Sequence, residues 1–102
     1  MSETLIEQCI SASIEVKRKI VTDKKLISQI SKLAEACVKS LKSEGKIIFC
    51  GNGGSFADAQ HLSAELTSRF LFDRPGLASI ALGTNNSSIT AIGNDYGYEN
   101  VF

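Results

Sequence analysis

Apolar residues in the first part of the chain recur at helical spacing, and this pattern predicts two successive helices. We expect the first helix over residues 3–20, where two adjacent apolar stripes imply burial on more than one side. We expect the second over residues 24–43, with Asp23 as its N-cap and Gly45 just after its C-terminus. The two stripes of the first helix consist of Leu5, Cys9, Ala12, Val16 and Ile20, and of Ile6, Ile10 and Ile14.

After these helices the pattern changes to short apolar runs that alternate with helical segments. Continuous apolar runs over residues 47–50 and 77–82 predict strands that are covered on both faces. Helices are expected between them, over residues 55–70, and after them, over residues 85–92. This alternation indicates an α/β domain with a parallel sheet and right-handed crossovers. The expected core face of the helix between the strands consists of Ala59, Leu62, Leu66 and Phe70.

Two strands are too few for a free-standing sheet, because sheets in compact domains usually have about four to six strands. Either the chain is the front part of a larger unit, or partner chains cover its open edge. We favour the first interpretation. Residues 1–102 then form the N-terminal portion of a single domain, with a helical pair over residues 3–44 and an α/β part over residues 46–102.

Composition and charge exclude several classes of protein. The hydrophobic content of 43% is typical of a soluble globular domain, and eleven basic residues balance eleven acidic ones, so no field attracts nucleic acid or an anionic membrane. The sequence has neither an apolar run of transmembrane length nor a secretion signal at its start. Cys9, Cys37 and Cys50 match no zinc motif, and we interpret them as reduced core thiols. These features predict a cytoplasmic protein without nucleic-acid or membrane partners.

The segment Cys50-Gly-Asn-Gly-Gly-Ser55 carries the strongest chemical signal, because it places a glycine turn between a strand and a helix. Glycines allow backbone N–H groups to approach a ligand, and the start of a helix favours a phosphate or an enolate oxygen. Ser55 is expected to cap the helix, with Asp58 completing a capping box. A tight turn that binds no ligand is the alternative. The segment matches neither the dinucleotide fingerprint nor a P-loop.

His61 and Glu65 are four residues apart, so they share one helical face. An imidazole nitrogen and a carboxylate oxygen can supply two ligands to a divalent metal such as zinc. Glu65 could also act as a general base. The alternative is a hydrogen-bonded pair on the protein surface. Two ligands do not complete a zinc site, so the others must come from elsewhere.

Asn94 and Asp95 lie in a segment, residues 93–97, that is predicted to be a loop flanked by glycines. Their side chains could bind ligand hydroxyls or could satisfy the backbone of the turn itself. Arg69 and Arg74 could pair with a phosphate, although solvated surface charge is the more common role of arginine.

Five short motifs occur in a fixed order along the chain. They are Cys-Gly-Asn-Gly-Gly-Ser at 50–55, Asp-Ala-Gln-His at 58–61, Ala-Glu-Leu at 64–66, Arg-Pro-Gly at 74–76 and Ala-Ile-Gly-Asn-Asp-Tyr-Gly-Tyr at 91–98. Together they resemble the phosphoheptose isomerase family of the sugar isomerase (SIS) domain superfamily. The resemblance covers nearly the whole chain. It implies a three-layer αβα sandwich of flavodoxin-like character and a homotetramer with the N-terminal helices packed between subunits.

The resemblance also implies an activity, the conversion of sedoheptulose 7-phosphate to D-glycero-D-manno-heptose 7-phosphate. This reaction is the first step toward bacterial heptose for lipopolysaccharide or capsule. His61 and Glu65 would be the catalytic residues and the ligands of one zinc ion per site, and Glu65 would move the proton between C1 and C2. The residues that would bind the phosphorylated seven-carbon sugar are Asn52, Gly53, Gly54, Ser55, Glu65, Asn94 and Asp95.

The family pattern includes a second half that these 102 residues lack. That half carries a Ser/Thr-rich phosphate loop and a late helix that supplies a Gln and a His to the site. We therefore expect the chain alone to be inactive. A non-catalytic SIS module that senses sugar phosphates or binds a protein, like the replication-initiator-associating protein, is one alternative. A truncated product that only oligomerises is another. Glu65 and the Asn94-Asp-Tyr-Gly97 segment favour the isomerase.

Overall fold

The computed structural model describes residues 2–102, and its elements follow the predicted order of two helices, strand, helix, strand and helix. The chain divides into two compact units, one up to residue 36 and one over residues 37–102. The elements are α1 (Glu3–Thr22), α2 (Lys24–Lys42), β1 (Ile47–Phe49), α3 (Gly54–Thr67), β2 (Ser79–Ala81), α4 (Asn86–Tyr96) and a 3-10 turn (Tyr98–Asn100).

Asp23 is the single residue between α1 and α2, and it serves both helices. Its backbone N–H donates to the carbonyls of Lys19 and Ile20, which closes α1. Its Oδ1 accepts a hydrogen bond from the N–H of Leu26 at 3.0 Å, which opens α2. The predicted N-cap is therefore confirmed, and a short polar side chain explains why two helices meet here without a longer loop.

The apolar stripes of α1 remain exposed in the structure. No described residue of α1 or α2 is buried, and Ile10 is 56% exposed. Burial of these stripes on more than one side is therefore not observed, because no described element covers them. Although these stripes are exposed, none of the described helices is both long and apolar enough to cross a membrane.

The prediction that all three cysteines are core thiols is wrong for the described chain. Cys9 and Cys50 are exposed, and Cys37 is half-buried. All three are free thiols, as expected. An apolar neighbourhood in the sequence buries a thiol only where another element packs on that face, and Cys9 lies on a helix whose apolar stripe is uncovered.

The end of α2 shows why a glycine is needed three residues after the last helical residue, Lys42. Glu44 takes the left-handed conformation, with φ of 62°. The N–H of Gly45 donates to the carbonyl of Ser40 at 2.8 Å. This is the hydrogen bond of a Schellman motif that spans six residues. A Cβ on Gly45 would lie 2.5 Å from Ser40 Oγ. The left-handed residue that ends the helix is therefore Glu44 and not the predicted Gly45, which is needed instead for its close approach to Ser40.

β1 and β2 form a parallel pair in which Ile47, Ile48 and Phe49 lie opposite Ser79, Ile80 and Ala81. Helix α3 connects the strands and packs against both of them. The face of α3 that is buried runs through Ala59 and Ser63, which are 3% and 8% exposed. These small side chains allow the helix to approach the strands closely. The structure therefore confirms the parallel α/β arrangement.

The predicted core face of α3 is partly wrong. Leu62 is 49% exposed, and Phe70 lies beyond the end of the helix and is 56% exposed. Leu62 and Ser63 both lie one helical turn after Ala59, and the structure buries Ser63 in place of Leu62. The opposite face of the sheet also stays open, since Ile48 and Ile80 are 54% and 44% exposed. The described residues thus form part of a three-layer fold.

α4 is longer than the sequence pattern predicts. It begins after its cap Asn85 and runs over Asn86–Tyr96, so most of the loop predicted over residues 93–97 is helical. Gly93 lies inside the helix, where glycine costs about 1 kcal/mol relative to alanine but does not break the hydrogen-bond pattern. Gly97, with φ of 98°, is the residue that ends the helix.

Candidate functional site

The glycine turn lies at the carboxyl edge of the parallel sheet. β1 ends at Phe49, and the chain enters α3 at Gly54. The N–H of Leu82 donates to the carbonyl of Phe49 at 2.8 Å, so the ends of the two strands are held together. Ligands of open α/β sheets bind outside the carboxyl ends of the strands. The glycine turn therefore stands where this architecture places a ligand.

The first turn of α3 has free donors. Gly53 is the N-cap, with φ of 55°, and no side chain caps the helix. Among residues 2–102, the N–H groups of Gly53 and Gly54 have no hydrogen-bond acceptor, whereas Ser55 N–H donates to the carbonyl of Asn52 at 3.0 Å. Such donors at a helix start suit an anionic oxygen. The predicted cap at Ser55 is wrong, because the helix begins one residue earlier and Ser55 lies inside it.

The glycines of the turn serve two different purposes. A Cβ on Gly51 would lie 2.6 Å from the backbone of Ser55, so this glycine allows the turn to close against the helix. A Cβ on Gly53 or Gly54 would have no neighbour within 4 Å. The space in front of these two residues is therefore open, and a ligand can reach their backbone.

A cavity of about 260 Å³ lies against the glycine turn. This volume suits a small ligand, since drug-sized pockets begin at about 300 Å³. Six of the residues that line it are Asn52, Gly53, Phe56, Gly83, Asn86 and Tyr98. Four of them were not identified from the sequence. The position of Gly83 and Asn86 after the second strand was the available signal, because carboxyl ends of parallel strands share an edge.

Two contacts shape this cavity. The Tyr98 hydroxyl donates to Asn52 Oδ1 at 2.7 Å, a contact that joins residues 46 positions apart. Gly83, with φ of 98°, lies so close to Phe56 that a Cβ would overlap the aromatic ring. Nothing in the local sequence around Tyr98 indicates that it reaches the glycine turn, so sequence reasoning missed it.

His61 and Glu65 face each other on α3, as the spacing predicts. His61 Nε2 and Glu65 Oε1 are 3.1 Å apart, with the imidazole 75% exposed and the carboxylate 34% exposed. His61 lies about 10 Å along the helix from Gly54. Glu65 lines a separate depression of about 360 Å³ beside Arg69 and residues 70–72. Within the described chain, the acid–base pair and the glycine turn therefore open onto different surfaces.

The His61–Glu65 pair fits one half of a zinc shell. Two donors on one tetrahedral zinc stand about 3.3 Å apart, close to the observed separation of 3.1 Å between Nε2 and Oε1. Both atoms are of the kind that zinc prefers. Within the residues that the structure describes, no group of three or more His, Cys, Asp or Glu side chains is placed to hold a metal ion. The pair could thus supply two ligands of a site that needs more.

Asn94 and Asp95 are exposed residues near the end of α4, where the sequence predicted a loop. Asn94 Nδ2 donates to Asp95 Oδ1 at 3.0 Å, so the two side chains bind each other. Neither lines the cavities described above. The prediction that they are in a loop is wrong, and their binding of ligand hydroxyls stays a prediction.

Arg74 is a structural residue in this chain and not a free surface charge. Its guanidinium donates to the carbonyls of Glu65 at 2.8 Å and Leu66 at 2.9 Å. It also donates to the carbonyls of Ser68 and Pro75, both at 3.2 Å. A cation at the C-terminus of a helix satisfies its last carbonyls and is favoured by the helix dipole. Arg74 therefore fixes the helix end next to Glu65.

Arg69 is the solvated charge that the sequence predicts. Its Nη1 pairs with Asp73 Oδ1 at 2.6 Å, and both side chains are largely exposed. The two arginines, which the sequence did not distinguish, therefore have different surroundings in the fold.

Curated relatives share the sequence over most of this chain. It is 48% identical to the phosphoheptose isomerase of Burkholderia pseudomallei (strain 1710b) over an alignment of 99 residues. The alignment covers 97% of this chain and 50% of that relative. It is 56% identical to phosphoheptose isomerase 2 of Campylobacter jejuni over an alignment of 90 residues, and this alignment covers 88% of this chain and 45% of that relative. The chain thus spans about half the length of the curated relatives it matches.

Solved structures share the fold. Phosphoheptose isomerase GmhA from Neisseria gonorrhoeae superposes with a TM-score of 0.84 at 40% identity, over 98% of this chain and 50% of that one. A phosphoheptose isomerase from Francisella tularensis superposes with a TM-score of 0.88 at 36% identity, over 100% of this chain and 53% of that one. The model of the SIS domain family matches residues 10–102. With the parallel sheet and its glycine turn at the carboxyl edge, this match establishes that the chain belongs to the SIS domain family.

Proposed function

We propose that this chain is the front half of a phosphoheptose isomerase, which converts sedoheptulose 7-phosphate to D-glycero-D-manno-heptose 7-phosphate. The observation that carries the proposal is helix α3, which begins with the open donors of Gly53 and Gly54 and bears the facing pair His61 and Glu65. The identity of 48% to a relative named phosphoheptose isomerase supports it.

The glycine turn would bind an oxygen of the sugar phosphate. Among residues 2–102 the N–H groups of Gly53 and Gly54 have no acceptor, and the space where their side chains would be is empty. They stand at the start of a helix, where the helix dipole favours negative charge. Because neither glycine has a side chain, an anion can come within hydrogen-bond distance of both. A sugar phosphate thereby gains donors that need no rearrangement of the protein.

Glu65 would carry the proton transfer. Isomerisation of the ketose removes a proton from C1, passes through an enediol and returns a proton to C2, while the hydroxyl proton of O1 passes to O2. A carboxylate within hydrogen-bond reach can perform both transfers at carbon. Oε1 of Glu65 faces His61, which leaves Oε2 for the proton. When bound, a zinc ion held by His61 and Glu65 would stabilise the negative charge that develops on the sugar oxygen.

The surroundings of this site follow from the same proposal. Further zinc ligands and further phosphate-binding residues would come from the half of the relatives' sequence that this chain does not match. The exposed apolar stripes of α1 and α2 would pack between the subunits of a homotetramer. A reaction on a phosphorylated sugar in heptose synthesis for lipopolysaccharide or capsule would take place in the cytoplasm.

A chimera tests the isomerase proposal. We would join residues 1–102 to the second half of the Burkholderia relative and measure conversion of sedoheptulose 7-phosphate with zinc present. We expect the chimera to convert sedoheptulose 7-phosphate, and we expect the 102-residue chain alone to be inactive. Glu65→Gln should lower turnover by at least about 100-fold, since general acid–base catalysis contributes about that much or more.

Two controls make the result decisive. Glu35→Gln removes an exposed carboxylate on α2 and should leave turnover unchanged. The relative's own two halves, joined at the same point, must be active. An inactive chimera beside that active control would contradict the isomerase proposal. Binding of the sugar phosphate without turnover would favour the non-catalytic module.

A further inference from the structure

We propose that Tyr98 is a positioning residue, which holds the side-chain amide of Asn52 so that its NH₂ group faces the ligand at the glycine turn. The inference rests on the proposed function, since the ligand is the sugar phosphate. It begins with the hydrogen bond from the Tyr98 hydroxyl to Asn52 Oδ1 at 2.7 Å. Because the hydroxyl donates to the amide oxygen, Nδ2 of Asn52 is left to donate elsewhere.

Asn52 is held at both its backbone and its side chain. Its carbonyl accepts the N–H of Ser55 at 3.0 Å, so the first turn of α3 holds the backbone. Tyr98 holds the amide. Asn52 also lines the cavity of about 260 Å³ together with Gly53. With both points fixed, the amide NH₂ adds a side-chain donor next to the open N–H groups of the turn.

Tyr98 is itself well placed to act as a support. It begins the 3-10 turn Tyr98–Asn100, in which Asn100 Nδ2 donates to the carbonyl of Tyr96 at 2.7 Å. Val101, which follows this turn, is only 8% exposed. These contacts hold the backbone of the turn, and from it the Tyr98 hydroxyl reaches Asn52.

The hydroxyl does not belong to the buried core, which makes its role separable from stability. Tyr98 is 62% exposed. Tyr98→Phe removes one hydroxyl and keeps the ring. Tyr96 offers a matched control, because it is 74% exposed and, within residues 2–102, its hydroxyl makes no hydrogen bond. The two substitutions are chemically identical and lie two positions apart.

The test uses the 102-residue chain and sedoheptulose 7-phosphate, and the same substitutions in the chimera where the chain alone binds too weakly to measure. The side-chain amide signal of Asn52 would be identified in nitrogen–proton NMR spectra by its loss in Asn52→Asp. Tyr98→Phe should shift this signal in the free protein and raise the Kd for the sugar phosphate about fivefold, which corresponds to about 1 kcal/mol for one hydrogen bond. Tyr96→Phe should change neither the signal nor the Kd. The wild type, Tyr98→Phe and Tyr96→Phe should have the same melting temperature.

A double substitution separates positioning from a general effect. In an Asn52→Ala background, Tyr98→Phe should cause no further loss of affinity, because the group that it positions is gone. An unchanged Kd in Tyr98→Phe, or a fivefold loss that persists without the Asn52 amide, would overturn this inference alone. If neither the wild-type chain nor the chimera binds sedoheptulose 7-phosphate, the ligand assigned to the glycine turn is wrong and the inference is overturned together with it.

Discussion

Gly83 lies directly against the aromatic ring of Phe56, at the point where the end of β2 meets the first turns of α3. Its φ is 98°, and an added Cβ would overlap the ring. Gly83→Ala should therefore lower the free energy of unfolding by about 2 kcal/mol, through backbone strain and the displaced ring. Chemical denaturation would measure this change. A fully stable Gly83→Ala variant would show that the close contact does not hold in solution.

Gly54→Ala should separate ligand binding from folding. A Cβ at this position meets nothing within 4 Å of it, and the residue is helical, so stability should stay the same or rise by up to about 1 kcal/mol. Affinity for sedoheptulose 7-phosphate should fall at least about tenfold, because the methyl group fills the space in front of free N–H donors. Titration followed by NMR would measure the affinity.

Gly93→Ala is the matched control for that substitution. Gly93 is also helical, and its Cβ would make an ordinary contact 3.8 Å from Val101 Cγ1. This variant should gain similar stability and bind the sugar phosphate as the wild type does. Equal binding by both alanine variants would argue against the glycine turn as the binding site.

Arg74→Ala should destabilise the second unit, whereas Arg69→Ala should not. Arg74 donates to four carbonyls around the end of α3, and we expect a loss of about 2 kcal/mol, because hydrogen bonds from charged groups contribute about that much. Arg69 forms only an exposed pair with Asp73, which contributes at most about 1 kcal/mol. Comparison of the two unfolding curves tests this, and similar losses would contradict the assignment of Arg74.

Zinc content should depend on His61 in a chimera that carries the second half of a relative. The wild-type chimera is expected to retain about one zinc per site after dialysis, and His61→Ala to lose most of it, because two of the proposed ligands lie on α3. Elemental analysis would measure this. Gln60→Ala, next to His61 on the exposed surface, is the control that should keep its metal. Full zinc retention by His61→Ala would exclude the imidazole as a ligand.

The sequence predicts elements that depend on local patterns. The helices and strands were found because apolar spacing and capping residues such as Asp23 act over a few neighbouring positions. The pairing of His61 with Glu65 was also local, since one helical turn brings them together. In these cases the physics that forms the structure and the signal in the sequence have the same short range.

Features that depend on distant parts of the chain were missed. The choice of Ser63 over Leu62 as a buried position follows from how closely α3 approaches the strands, which local hydrophobicity does not encode. The contact between Tyr98 and Asn52 spans 46 positions and needs the completed fold. The loop predicted over residues 93–97 is mostly helical, because a single glycine at position 93 costs too little to end a helix that its neighbours support.

The double role of Asp23 has a consequence for motion. Because one residue closes α1 with its backbone and opens α2 with its carboxylate, fraying at the last turn of one helix releases the first turn of the other. Any change that speeds amide hydrogen exchange at one of these two turns should therefore speed it at the other, so that the junction behaves as one cooperative unit.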